Sequence, residues 1–145
     1  MNKFDTLEGK VVVIAEGGNS LGALLSKDYA RAGAEVIIHY HNEAFKQEAE
    51  LTRKEIVSKG GQAVLFQGDL TNAGTAKELF EFAIKVYGKV DIAINTIGKE
   101  INDSIAKTSK QKGYFTLIDN HVTSTYFFKK EAEQHMNHNG KIIEL

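Results

Sequence analysis

The sequence predicts an α/β fold: a doubly wound parallel sheet of Rossmann type, strand order 3-2-1-4-5, in three α/β/α layers. Two observations carry this. Short β-type runs alternate with longer helical patterns along the chain, and the first run, Lys10–Ala15, is apolar without polar alternation. Such runs suit strands buried on both faces, and single crossovers between them imply parallel pairing with right-handed connections.

The elements follow in order. After Lys10–Ala15 comes a Gly-rich turn and a helix from about Leu21 to Ala32, with Leu21, Leu24, Leu25 and Tyr29 at helical spacing and Gly33 as its stop. Glu35–Tyr40 is the second strand; Asn42 can cap the next helix, whose apolar face is Phe45, Ala49, Thr52 and Ile56. Ala63–Gln67 is the third strand. Thr75 to Glu78 has the spacing of a capping box, and Leu79, Phe80, Ala83, Ile84 and Tyr87 form the face of the helix that follows. Val90–Asn95 is the fourth strand. Lys99–Gly113 reads as a loop with a short helix, Tyr114 to about Met136 as a long helix, and Lys141–Leu145 as a fifth strand. One domain covering residues 1–145 is expected.

The balance of 18 basic and 19 acidic residues supplies no basic face, so no nucleic-acid partner is expected. Cysteine is absent, which removes disulfides, thiolate metal sites and cysteine nucleophiles. Neither a signal-peptide core nor a membrane-length apolar run is present, so the expected compartment is the cytoplasm, with no membrane contact. His39 and His41 are read as facing opposite sides of their strand, and His135 and His138 as surface residues, so no metal site is expected. Ser104, Ser109 and Ser124 lack the partnered His and acid of a nucleophile.

The informative segment is Ala15-Glu16-Gly17-Gly18-Asn19-Ser20-Leu21-Gly22. A glycine-rich turn opening the first βα unit brings backbone N–H groups and a helix N-terminus to a pyrophosphate. Gly17 and Gly18 can take positive φ, and Gly22 lets the helix pack close to the sheet. A plain tight turn would also use glycines; the position within a repeating βαβ chain favours nucleotide binding.

With this turn, two further motifs make the chain resemble the short-chain dehydrogenase/reductase family over essentially its whole length. Asp69-Leu70 resembles that family's Asp-aliphatic pair at the end of the third strand, which meets the adenine. Asn95-Thr96-Ile97-Gly98 resembles its Asn-Asn-Ala-Gly signature, with Asn95 and Gly98 matching. The resemblance implies a nicotinamide cofactor bound by Gly17, Gly18, Asn19, Ser20, Leu21, Gly22, Tyr40, His41, Asp69, Leu70, Asn95 and Gly98. It also implies a small carbonyl or alcohol substrate and, for a full-length protein, a homo-oligomer. Three departures stand out. Glu16 and Ser20 occupy positions where the family has glycines, and Glu16 would set a carboxylate beside a pyrophosphate. The family's catalytic asparagine falls near Val122 by counting, and Asn120 reaches that role only with a two-residue slip. The family's catalytic serine and Tyr-x-x-x-Lys pair lie past its fifth strand, so a truncated enzyme, inactive by itself, is expected.

The ribose-binding position, about twenty residues past the glycines, falls at Tyr40, followed by His41 and Asn42. A carboxylate there would repel a 2′-phosphate; none is present, so NADP(H) is favoured over NAD(H). The other functional reading is a non-catalytic nucleotide-binding module, with the Tyr114–Met136 helix as an interaction surface.

Overall fold

The computed structural model describes residues 6–97 and 111–145. Its strands are β1 (Val11–Ala15), β2 (Glu35–Tyr40), β3 (Gln62–Gln67), β4 (Ile92–Asn95) and β5 (Lys141–Glu144); its helices are α1 (Ser20–Arg31), α2 (Lys46–Ser58), α3 (Thr75–Tyr87) and α4 (Gln111–His135). The sheet order is β3-β2-β1-β4-β5, and all four neighbouring pairs are parallel. Every residue of β1 is buried, as its unbroken β-branched run requires of a central strand.

Alternation along the strands separates two cores. Val12, Ile14, Val36 and Ile38 pack under Ala30 of α1 and Ala49 and Ile56 of α2. Val13, Ala15, Ile37 and Ala93 face Leu79, Phe80 and Ala83 of α3 and Phe128 and Ala132 of α4. The Phe80 and Phe128 rings meet at 5.3 Å and 57°, fastening α3 to α4.

Local details differ from expectation at three helix starts. The Thr75–Glu78 capping box is not formed: Thr75 is already helical and Gly74 precedes it without a side-chain cap. Asn42 caps a short 3-10 turn, Glu43–Phe45, by accepting from the Ala44 amide; α2 proper begins at Lys46. Helix α4 begins at Gln111, inside the segment read as a loop. The rest of that segment, with Gly98, Ser104 and Ser109, lies outside the described residues.

At the amino edge of the sheet a buried carboxylate joins three elements. Asp91 Oδ2 accepts from the Val11 amide at 2.9 Å and lies 3.1 Å from Lys89 Nζ, while Oδ1 accepts from Asn137 Nδ2 at 2.8 Å. Burial alone would raise its pKa; the hydrogen bonds from Val11, Lys89 and Asn137, with the Lys89 charge, outweigh that and lower it.

Candidate functional site

A cleft of about 340 Å³ opens at the carboxyl edge of the sheet, where the chain direction splits between β1 and β4. Open α/β sheets bind ligands at such a switch point. The loop after β1 contributes Glu16 and Asn19; the segment after β2, His41 and Phe45; the loop after β3, Asp69, Leu70 and Thr71. Ile97 follows β4, and α4 closes one wall with Leu117, Asn120 and Ser124. A larger hollow of about 490 Å³ lies at the opposite edge, among residues such as Lys27, Arg31, Glu55 and Gly60. It is remote from the glycine-rich turn and from every motif above, so the smaller cleft is the functional candidate.

The turn is built differently from expectation. Its residues with left-handed backbone are Glu16 (φ 58°) and Ser20 (φ 49°), whereas Gly17 and Gly18 do not have positive φ. These two glycines serve close approach instead. A Cβ on Gly18 would stand 2.7 Å from that of Ala49 in α2, and one on Gly17 would stand 3.0 Å from the Ile14 carbonyl oxygen. A Cβ on Gly22 would collide with the Glu16 carbonyl oxygen, so α1 can leave the turn only with glycine there. Glu16 and Ser20 thus carry backbone strain where the resembled motif has glycines.

Side chains from the flanking helices hold the turn's carbonyls. Ser26 Oγ donates to Gly17 O and Thr52 Oγ1 to Gly18 O, both at 2.9 Å. Asn19 precedes α1 without capping it, and the first intrahelical bond runs from Ala23 N to Asn19 O. The amides of Ser20, Leu21 and Gly22 therefore precede the helical ladder, at the positive end of the helix dipole. That donor set, with no Cβ on Gly22, fits the pyrophosphate of a dinucleotide.

Across the cleft, Asp69 Oδ1 accepts from the Thr71 amide at 2.9 Å and from Thr71 Oγ1 at 2.6 Å, which closes an Asx turn. Burial pushes its pKa up, but the Thr71 bonds and the nearby His41 and His39 bring it below the usual value. His41 Nδ1 lies 3.8 Å from Asp69 Oδ1.

Several site residues stand elsewhere than expected. Tyr40 is 6% exposed and packs in the core beneath α1 and α2, so it does not face the cleft; strand alternation gives that place to His41. His39 and His41, two apart, share a face rather than pointing apart, and His39 is fully buried. Among the described residues no group of three or more His, Asp or Glu side chains could hold a metal ion. Asn95 is buried: its Oδ1 accepts from the Ile97 amide and its Nδ2 donates to Thr125 Oγ1, tying β4 to α4. Asn120 lines the cleft, while Val122 is 61% exposed. A Tyr-x-x-x-Lys spacing, overlooked in the sequence, occurs at Tyr126–Lys130. Tyr126 is 60% exposed and outside the cleft lining, so this spacing does not place a proton donor there.

Sequence reasoning also missed His39, Ser26 and Thr52, the polar side chains that hold the turn. The signal for His39 was one polar residue inside the apolar run Val36–Tyr40.

Turn, Asx loop and switch-point cleft together form the candidate site of a Rossmann-type fold, and the sequence matches the family model of enoyl-(acyl carrier protein) reductases over residues 15–145. The chain belongs to the short-chain dehydrogenase/reductase family. It is similar to a short-chain dehydrogenase of Oenococcus oeni, with 39% identity and a TM-score of 0.84, covering 95% of this chain and 61% of that one. A putative dehydrogenase of Burkholderia cenocepacia with bound NADP is 36% identical, with a TM-score of 0.80 over 97% of this chain and 53% of that one. A short-chain dehydrogenase/reductase of Pestalotiopsis microspora is 31% identical over 139 residues, which are 96% of this chain and 51% of that protein. The chain thus spans about half the length of the curated relatives it matches. Among the described residues no helix is long and apolar enough to cross a membrane.

Proposed function

We propose that this chain supplies the cofactor-binding half of an NADP(H)-dependent oxidoreductase acting on a small carbonyl or alcohol. The observation that carries the reading is the strained Glu16–Gly22 turn, which delivers unladdered helix amides into a cleft whose other side is Asp69 and His41. The nicotinamide supplies the hydride when bound. The residues of the chain bind and orient: Ser20, Leu21 and Gly22 amides for the pyrophosphate, Asp69 and Leu70 for the adenine, and Asn120 on the α4 wall beside the reacting end.

Preference for NADP(H) rests on His41, which takes the cleft position at the end of β2 where a carboxylate would repel a 2′-phosphate. The Burkholderia cenocepacia relative with bound NADP is consistent with that choice. In the resembled family the proton donor follows the fifth strand, so these 145 residues are expected to bind cofactor without turnover. The outer face of α4, with Val122 and Tyr126 exposed, is the surface we assign to association with a second copy.

Titrating the chain with NADPH and NADH by fluorescence tests the reading. Tighter NADPH binding and no NADPH oxidation with a panel of ketones and aldehydes are expected. Failure to bind either nucleotide, or sustained turnover by this chain, would overturn it.

A further inference from the structure

His39 is a fully buried titratable side chain that does not line the cleft, yet it touches two of the loops that do. Its Nδ1 lies 3.1 Å from the Glu16 amide nitrogen, and its Nε2 lies 2.7 Å from the Gly68 carbonyl oxygen. An amide can only donate and a carbonyl can only accept. The ring is therefore the neutral tautomer with its proton on Nε2. The backbone carbonyl of His39 also accepts from the Gly17 amide at 2.9 Å. One residue thus fastens two consecutive amides of the turn and the start of the loop that carries Asp69.

We infer that His39 is a positioning residue, a latch that holds Glu16 in its left-handed conformation and ties the turn to the Gly68–Asp69 loop. A non-glycine residue at φ 58° relaxes unless its neighbours restrain it, and the imidazole bond to the Glu16 amide is that restraint. The His39 bonds occupy the Glu16 and Gly17 amides and so withdraw both from the pyrophosphate. The consequence for affinity rests on the cofactor reading above; the latch itself does not. The ring works only while neutral, since a second proton would turn Nδ1 into a donor facing an N–H. Burial favours that state, with His41 adding to it; the Gly68 bond and the Asp69 charge oppose it. Among the described residues, His41 and Asp69, from the segments after β2 and β3, are the ionisable groups whose charges act on the ring.

The test compares His39→Leu, which removes the acceptor at similar bulk, with His39→Asn, whose amide oxygen can stand near the Nδ1 position. NADPH affinity is read by fluorescence, and Glu16 amide exchange and imidazole 15N shifts by NMR. In the unsubstituted chain the Glu16 amide should exchange slowly and the ring should show one tautomer, protonated on Nε2. His39→Leu should weaken NADPH binding about tenfold and expose the Glu16 amide, and His39→Asn should recover most of both. Unchanged affinity in a folded His39→Leu chain, no recovery in His39→Asn, or fast exchange of the Glu16 amide in the original chain would overturn the latch. If His39→Leu does not fold, the original chain and His39→Asn decide through the same amide. If the original chain binds neither NADPH nor NADH, the dinucleotide reading fails and the latch is decided by Glu16 exchange alone.

Discussion

His39 and Asp91 are both buried ionisable side chains, one toward each edge of the sheet, and their surroundings hold them in opposite charge states. At the carboxyl edge, His39 meets one donor and one acceptor, a set that a neutral imidazole satisfies completely. Burial then has no counterweight large enough, and its pKa falls from 6.5 to about 4. At the amino edge, Asp91 meets only donors, the Val11 amide, Asn137 and Lys89, and keeps its charge against the same penalty. The partner set decides the charge state; burial sets only what must be overcome. The functional end of the sheet is accordingly locked by a neutral group, and the structural end by an ion.

Removing the ion should have the largest effect. Asp91→Ala leaves the Val11 amide and the Lys89 ammonium without their acceptor and loosens the turn before β5. A loss of about 3 to 4 kcal/mol in urea unfolding is expected. NADPH affinity of the protein that remains folded should change little, because the carboxylate lies at the edge away from the cleft. A stability loss below about 1 kcal/mol would mean that Asp91 is bonded in geometry only.

Acid should separate the two groups. The folded pKa of His39 is depressed, so the unfolded chain takes up a proton near pH 6.5 that the folded chain refuses until about pH 4. Stability from this residue is fully present above pH 6.5 and is lost as pH falls to about 4, by about 3 kcal/mol. Asp91 is also depressed, but from 3.8, so its contribution is lost only below that value. Urea unfolding from pH 7 to 4 should show a decline that His39→Asn flattens and Asp91→Ala leaves in place. A decline of the same size in His39→Asn would place its source elsewhere.

The sheet was legible because its evidence is local: apolar runs and helical spacing name the elements, and the parallel order follows from their alternation. The site was legible only where it is contiguous in sequence, as in the Glu16–Gly22 turn and the Asp69-Leu70 pair. His39 gave no such signal, because its two partners come from the loops after β1 and β3 and meet it only when three strands are in register. Tyr40 and His41 differ by one step of alternation at a strand end, where the sequence does not say which residue is the last to pack. Asn120 and Val122 differ by two helical positions, roughly 200° around α4, so a two-residue slip exchanges cleft and solvent.

The smallest expected effect sharpens the comparison at the turn itself. Glu16→Gly removes a carboxylate from the cleft and a side chain from a left-handed residue. Relief of that strain is worth about 1 kcal/mol, and the extra freedom of glycine in the unfolded chain costs about as much. Stability should therefore hardly move. Cofactor affinity should move, since removing a negative charge near the pyrophosphate is worth about 1 kcal/mol, or roughly fivefold in Kd. The gain should shrink at high salt, as screening already weakens the repulsion being removed. NADPH and NADH should gain alike, because Glu16 meets the part they share. A gain confined to NADPH would place Glu16 against the 2′-phosphate instead. No gain at low salt would show that the Glu16 carboxylate is turned from the bound anion, leaving the strain at φ 58° as its only cost to the site.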